Sequence, residues 1–327
     1  MDKILGLGNA LVDVLVTLED DNVLKEMGLT KGAMTLIDED KLLKINDFFS
    51  KKETHLATGG SAGNAINALA SLGAATGLIG KIGNDRYGDF FREKFQKRGT
   101  ETFLLTSDTL PSGVASTFIS ADGERTFATH LGAAAALKAE ELTLDMFRGY
   151  AYLFVEGYLV QDHDVILHAI ELAKEAGLQV CLDMASFNIV AGDQDFFLLL
   201  VNKYVDIVFA NEEEAKAFTG KEGKEALDVI AGMCSIAVVK MGARGSLVRK
   251  GTETIVVDAC KVDRVVDTTG AGDYFAAGFL YGLTSGYALE RCARIASLVS
   301  GEVIQVIGAE LPEEKWDVIK GKLELNN

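Results

Sequence analysis

The sequence predicts an α/β fold with a mainly parallel central sheet between helical layers and a small β-sheet lid. Two observations carry this reading. From Ala151 onward short apolar runs alternate with helical patterns, namely Tyr152 to Val155, His163 to Ala176, Gln179 to Leu182, Asp193 to Tyr204 and Val205 to Phe209. Such alternation predicts parallel strands covered by helices. Elsewhere the rhythm breaks into short strands with no long helix between them, around the hairpin signal Ala121-Asp122-Gly123-Glu124,.

Taken in order, the first half offers a strand at Ile4 to Leu7, a helix after Gly60, a strand near Gly77 to Ile82 and a helix over Arg86 to Lys97. Leu11 to Leu18 with Ala33 to Ile37, and Glu101 to Ser107 with Val114 to Thr129, read as short strands. Together these segments, roughly 11–37 and 101–129, predict a mobile lid inserted into the main domain. In the His163 segment Ile166, Ala169, Ile170 and Ala173 recur at helical spacing, with Glu171, Lys174 and Glu175 on the other side. That is the pattern of a covering helix. Helical segments at Leu289 to Val306 and Glu313 to Leu323 close the chain. Only two prolines occur, and no flexible linker separates the halves, so residues 1–327 read as one folding unit,.

Composition narrows the function. With 327 residues and 48% hydrophobic content the chain can bury a large core,. A net charge of -16 disfavours a nucleic-acid or anionic-membrane surface,. The beginning Met1-Asp2-Lys3, with Asn9 and Asp13 interrupting the apolar stretch, predicts neither signal peptide nor spanning helix, hence a cytoplasmic protein,. Cys181, Cys234, Cys260 and Cys292 lack zinc or redox spacing, and the four histidines form no metal cluster,.

Chemistry concentrates in Asp267-Thr-Thr-Gly-Ala-Gly-Asp273, which runs into an apolar helical pattern. A helix start offers unpaired N–H groups and the positive end of the macrodipole, and glycines let an anion approach. Gly270, Ala271 and Gly272 therefore form a candidate anion hole, and Asp273 a candidate base beside it. A glycine hinge before a core helix would use the same residues. The Walker pattern is absent, and Gly6-Leu7-Gly8 lacks the third glycine of a dinucleotide site, Leu11 standing there,.

Thr58-Gly59-Gly60-Ser61-Ala62-Gly63-Asn64 is a second signal, in which glycines admit a hydroxyl-bearing ligand to main-chain amides and Asn64 both donates and accepts,. Asp13, in the apolar strand that follows Asn9, needs a partner, and a polyol would supply one. A tight turn and a loop-tying carboxylate are the plain alternatives. Third, strands end at Asn211-Glu212-Glu213-Glu214 and at Lys240-Met241-Gly242-Ala243-Arg244-Gly245, where parallel sheets place ligands,. Glu214 could hold magnesium through water, or simply join an acidic first helical turn.

The order and spacing of the Gly59 to Asn64 segment, the Asn211-x-x-Glu214 pair, the Gly242-x-x-Gly245 turn and the 267–273 motif resemble the ribokinase-like (PfkB) sugar and nucleoside kinases over nearly the whole chain. The resemblance implies a three-layer α/β/α ribokinase-like fold and an ATP-dependent kinase. It implies Asp273 as catalytic base, the 270–272 amides as anion hole, and Asn211 with Glu214 organising Mg2+ and the nucleotide phosphates. Lys240, Gly242 and Gly245 fall on the ATP-binding turn, where the family often has Thr at the place of Lys240, and Ser297 falls beside the ATP base. Asn9, Asp13, Gly59, Gly60 and Asn64 correspond to acceptor-binding positions. Asp267, with the carbonyl of Thr269, matches a loop that holds a monovalent cation, potassium, in several members.

Segments at Gly8 to Asp13, Gly28 to Gly32, Glu156 to Leu159 and Ala185 to Phe187 resemble adenosine kinases and their bacterial relatives. Leu11, Tyr158 and Phe187 then correspond to a base pocket, although ordinary core packing would use the same side chains. The resemblance implies transfer to the 5′-hydroxyl of adenosine, with a free-sugar kinase and a nucleoside-binding regulatory protein as rivals. An exposed lid edge would suit a homodimer.

Overall fold

The computed structural model describes residues 2–325. In chain order the elements run β1 (Ile4–Leu7), β2 (Leu11–Thr17), α1 (Asn22–Glu26), β3 (Met34–Leu36), α2 (Glu39–Phe49), β4 (His55–Gly59), α3 (Ser61–Leu72), β5 (Thr76–Gly83), α4 (Arg86–Lys97), β6 (Glu101–Ser107), β7 (Gly113–Ile119) and β8 (Arg125–His130). After three short 3-10 turns follow β9 (Tyr152–Glu156), α5 (His163–Glu175), β10 (Gln179–Asp183), α6 (Phe187–Gly192), α7 (Gln194–Lys203), β11 (Ile207–Asn211), α8 (Glu212–Thr219), α9 (Gly223–Ala231), β12 (Ile236–Lys240), β13 (Ser246–Lys250) and β14 (Glu253–Val257). The chain closes with α10 (Ala271–Thr284), α11 (Leu289–Val303) and α12 (Glu313–Leu325).

A nine-stranded sheet in the order β14-β13-β12-β11-β10-β9-β1-β5-β6 forms the middle layer. Its strands from β12 through β6 are parallel, and β13 and β14 are added antiparallel at one edge. Side-chain alternation splits the core in two. On β1, Ile4 packs with α3 and α10 on one face, while Leu5 and Leu7 pack with α5 and α7 on the other,. The three-layer α/β/α expectation is therefore what the chain forms.

A second sheet, β3-β8-β7-β2-β4, stands beside the first. Its hairpin is the expected one: Gly123 takes φ 86° between β7 and β8, its N–H donates to the Ser120 carbonyl, and Ser120 N–H donates to that of Glu124,. The sequence reading of the lid needs two corrections. Glu101 to Ser107 is not part of it, because β6 lies parallel to β5 at the edge of the large sheet, with α4 as the crossover helix. β4, absent from the expected lid, pairs antiparallel with β2. Residues 22–26 and 39–49 are helical, the second starting at an Asp38 cap that accepts from Lys41 N–H,.

Two features fix the junctions between the sheets. Gly60, the N-cap of α3, has φ 85°, and a Cβ there would lie 2.1 Å from the Asn9 carbonyl oxygen, so only glycine lets the chain turn from β4 into the helix. Asp85 caps α4 and also accepts from the Ser112 N–H at 2.7 Å and hydroxyl at 2.7 Å, which ties the β6–β7 connection to the large sheet.

Candidate active site

The carboxyl ends of four neighbouring parallel strands each present a polar side chain: Glu156 on β9, Asp183 on β10, Asn211 on β11 and Lys240 on β12. Above them lies a cavity of about 920 Å³. Asp13 and Phe127 of the smaller sheet form part of its wall. Its floor includes the N-terminus of α10, a helix held rigidly by fully buried Phe279, Leu280 and Ala277. Burying one such Phe or Leu contributes roughly 1.5–3 kcal/mol, so the geometry of the first turn is set by the core beneath it.

Gly270 caps α10 with φ 76°. The Ala271 N–H donates to the Thr268 carbonyl at 3.2 Å, closing the turn, whereas the N–H groups of Gly270, Gly272 and Asp273 have no backbone acceptor among the described residues. The free amides thus differ from the expected 270–272 set: Ala271 is spent on the turn, and Asp273 N–H is free in its place,.

Asp273 sits in the first turn with both oxygens held. Ser61 Oγ donates to Oδ1 at 2.6 Å and Asn64 Nδ2 donates to Oδ2 at 2.9 Å. Its depth in the cavity pushes its pKa up to about 7, with Asp183 adding to the rise and the Ser61 and Asn64 hydrogen bonds and Lys240 opposing it,. Asn64 Oδ1 is buried without a partner, an acceptor left for a donor from outside the protein,.

On the other flank Lys240 Nζ donates to Asp183 Oδ2 at 2.7 Å, and Asp183 Oδ1 accepts from Ala185 N–H at 3.0 Å. Ala185 adopts φ 63°, a left-handed conformation that costs a non-glycine residue energy and often marks functional loops,. A Cβ placed on Gly272 would lie 3.1 Å from Lys240 Nζ, so the ammonium stands against the start of α10. Asn211 and Glu214 form a reciprocal cap on α8. Asn211 Oδ1 accepts from Glu214 N–H at 2.9 Å, and Glu214 accepts from Asn211 N–H at 2.7 Å and Nδ2 at 2.6 Å,. Glu214 is 2% exposed, and burial pushes it up to about 7 against the pull of Lys240.

Asp13 faces the same cavity from β2. Burial pushes it up to about 7, opposed by the nearby Arg125 guanidinium. A Cβ on Gly59 would lie 2.3 Å from Asp13 Oδ1, so that glycine makes room for the carboxylate and does not itself line the cavity. Gly60, Asn64, Tyr158, Asn211, Glu214 and Lys240 line it, with Gly242, Gly245, Thr269 and Ser297.

Other expected contacts fall elsewhere. Asn9 is spent on Glu156, donating through its N–H at 2.8 Å and its Nδ2 at 2.6 Å, because that fully buried carboxylate needs donors and takes a third from Ala62 N–H at 2.9 Å,. Leu11 does not reach the cavity wall, and Phe187, which opens α6, is 45% exposed away from it. Ser297 accepts from Cys260 N–H at 2.7 Å and donates to the Asp258 carbonyl at 3.2 Å, so it fastens the 258–262 loop that walls the cavity. Asp267 receives Thr269 N–H and Oγ1, Gly308 N–H at 2.8 Å, and Arg125 Nη1 at 3.0 Å. That donor set already neutralises the carboxylate and does not fit a monovalent cation.

Sequence reasoning missed Ser61, Asp183, Arg125 and Phe127. Ser61 lay inside the glycine motif without a role, and Asp183 ends an apolar strand in the pattern that flagged Asn211 and Lys240.

The family model of the pfkB family carbohydrate kinases matches residues 33–316. The chain belongs to the pfkB family of carbohydrate kinases. A pfkB kinase is a phosphotransferase with an alcohol group as acceptor, and membership of the family implies ATP as the donor. Two solved structures superpose with a TM-score of 0.87 at 34% identity: a probable sugar kinase from Rhizobium etli, covering 98% of this chain and 99% of that one, and an adenosine kinase from Sinorhizobium meliloti, covering 100% and 99%. Adenosine kinase 1 of Arabidopsis thaliana is 28% identical over 340 residues, 95% of this chain and 96% of its own. Among the described residues no helix of this pfkB kinase is long and apolar enough to cross a membrane.

Proposed function

We propose that the protein transfers the γ-phosphoryl group of ATP to the 5′-hydroxyl of adenosine, giving AMP. The observation that carries the reading is Asp273, a carboxylate beside free helix N–H groups, with the unpartnered Asn64 Oδ1 and Asp13 facing the same space. In this reading Asp13 and Asn64 hold the ribose hydroxyls. Asp273 takes the proton of the attacking hydroxyl, and the amides of Gly270, Gly272 and Asp273 stabilise charge on the phosphoryl group in flight. Lys240 stands at the start of α10 to meet the phosphates. Asp183, Glu214 and Asp273 line the cavity with Lys240 beside them, but among the described residues no three carboxylates converge as direct ligands for Mg2+. Glu214, whose oxygens already receive Asn211, would hold that ion through water,. Magnesium supplies charge neutralisation on the transferring group. Tyr158 and Phe127 offer the faces against which a flat base packs,.

A free-sugar acceptor is the second reading, and one observation favours it: Leu11 and Phe187 stand off the cavity wall, which leaves a thinner aromatic lining than the resemblance implied. Coupled ADP release against a panel of nucleosides and free sugars, with Mg-ATP, separates the two. Turnover of adenosine is the expected result. Turnover of sugars alone would remove the nucleoside assignment, and no turnover with any acceptor would remove the kinase reading.

A further inference from the structure

Ser61 is a cavity residue to which the transfer just described gives no task. It is the first residue of α3, and its Oγ donates to Asp273 Oδ1 at 2.6 Å. Asn64, three residues on and so on the same helical face, holds the other carboxylate oxygen at 2.9 Å,. A hydroxyl on a base that a third group orients is the arrangement of an activated nucleophile. Thr269 is engaged with Asp267, Ser297 with the Asp258 carbonyl and Ser300 with the Ala271 carbonyl, while the Thr268 and Tyr158 hydroxyls line the cavity without a bond to Asp273. With no acceptor in place, Ser61 is the hydroxyl already bonded to the base.

We infer that Ser61 is itself phosphorylated by this site when ATP is bound and the acceptor is absent. The inference rests on the kinase reading above. Ser61 Oγ forms a bond to the γ-phosphorus as the bond from that phosphorus to the β–γ bridging oxygen breaks. ADP leaves with that electron pair, and the hydroxyl proton passes to Asp273 Oδ1. The product is a phosphoserine at the first residue of a helix, a position that favours anions. It stands against the base in the place of the acceptor hydroxyl, so the modified protein is blocked for transfer, and a bound acceptor protects against modification by displacing Ser61 from Asp273.

Mass spectrometry of the tryptic peptide spanning residues 53–81 tests this after incubation of the full chain with Mg-ATP alone. The expected result is one added phosphoryl group mapped to Ser61, suppressed by saturating acceptor, lost in Ser61→Ala and in Asp273→Asn, and retained in Ser61→Thr. Wild-type protein that turns over an acceptor yet leaves this peptide unmodified overturns the inference and leaves the kinase reading standing. Label on another residue, or label that persists in Asp273→Asn, also overturns it. Absence of both acceptor turnover and label would instead sink the kinase reading.

Discussion

Arg125 of β8 and Asp267, at the head of the turn into α10, meet at 3.0 Å with side chains only 7% and 10% exposed. The smaller sheet is thereby pinned to the turn that presents the free amides of α10, and the same guanidinium lies near enough to Asp13 to oppose the rise in its pKa. Removing one member of a buried pair strands the other charge at a cost of roughly 3–5 kcal/mol. Arg125→Ala is therefore expected to lower the denaturant midpoint strongly and to raise KM for the acceptor, and Arg125→Lys to recover part of both. Unchanged stability and KM in Arg125→Ala would show that the contact carries no load.

The pKa of Asp273, raised to about 7, has two opposite consequences. Proton transfer needs the carboxylate, so kcat/KM is expected to climb between pH 6 and 8 with a midpoint near about 7 and to level off above it,. Stability moves the other way. Between the unfolded value of 3.8 and about 7 the folded state binds the extra proton, so this group's contribution declines as pH rises through that window and is lowest above it,.

Asp273→Asn tests both effects at once. Its amide is accommodated by a flip of Asn64, whose free Oδ1 would then accept from the new Nδ2. Turnover is expected to fall about 10³-fold, ATP binding to persist by calorimetry, and the melting temperature at pH 8 to rise by at least about 2 °C. A variant with near-normal turnover would place the base elsewhere.

The two glycines at the start of α10 are expected to separate folding from chemistry. Ala at 272 suits a helix better than Gly by about 1 kcal/mol, but its Cβ would stand 3.1 Å from Lys240 Nζ and cover the amides. Gly272→Ala should keep or raise stability while losing on the order of 10²-fold in turnover. Gly270→Ala should lose stability, because φ is 76° and the new Cβ would lie 2.7 Å from that of Ala309. Thermal melts and ADP release on both variants decide it.

Lys240→Met removes the ammonium held between Asp183 and the start of α10. A hydrogen bond to a charged group is worth about 1.5–3 kcal/mol, so KM for ATP is expected to rise roughly 10–100-fold. An unaltered KM would confine Lys240 to neutralising Asp183.

How much of this was legible in the sequence follows from whether a signal was local. The turn into α10 and the Asn211–Glu214 cap each lie within a few residues, where spacing alone specifies geometry, and both form with the expected elements. Contacts made across the fold left no such trace. Arg125 finds Asp267 across 142 positions, counted as 267 minus 125, and Ser61 finds Asp273 across 212. β6 was misplaced because only a short turn separates it from β7, although the helix α4 between β5 and β6 already carried the signature of a parallel crossover,. Asn9 and Phe187 were assigned from resemblance, and what removed them is a buried carboxylate in one case and a solvent-facing helix start in the other.

The chain passes between the two sheets four times, at residues 7–11, 59–61, 107–113 and 130–132, so the smaller sheet is two stretches let into the larger body. Asp13 and Phe127 ride on those stretches, whereas Asp273, Lys240, Asn211 and Glu214 belong to the body. The proposed acceptor contacts are thus divided between two frames, Asp13 and Phe127 on the inserted stretches and Asn64 and Tyr158 on the body, so how the inserted sheet sits on the body sets the room between them.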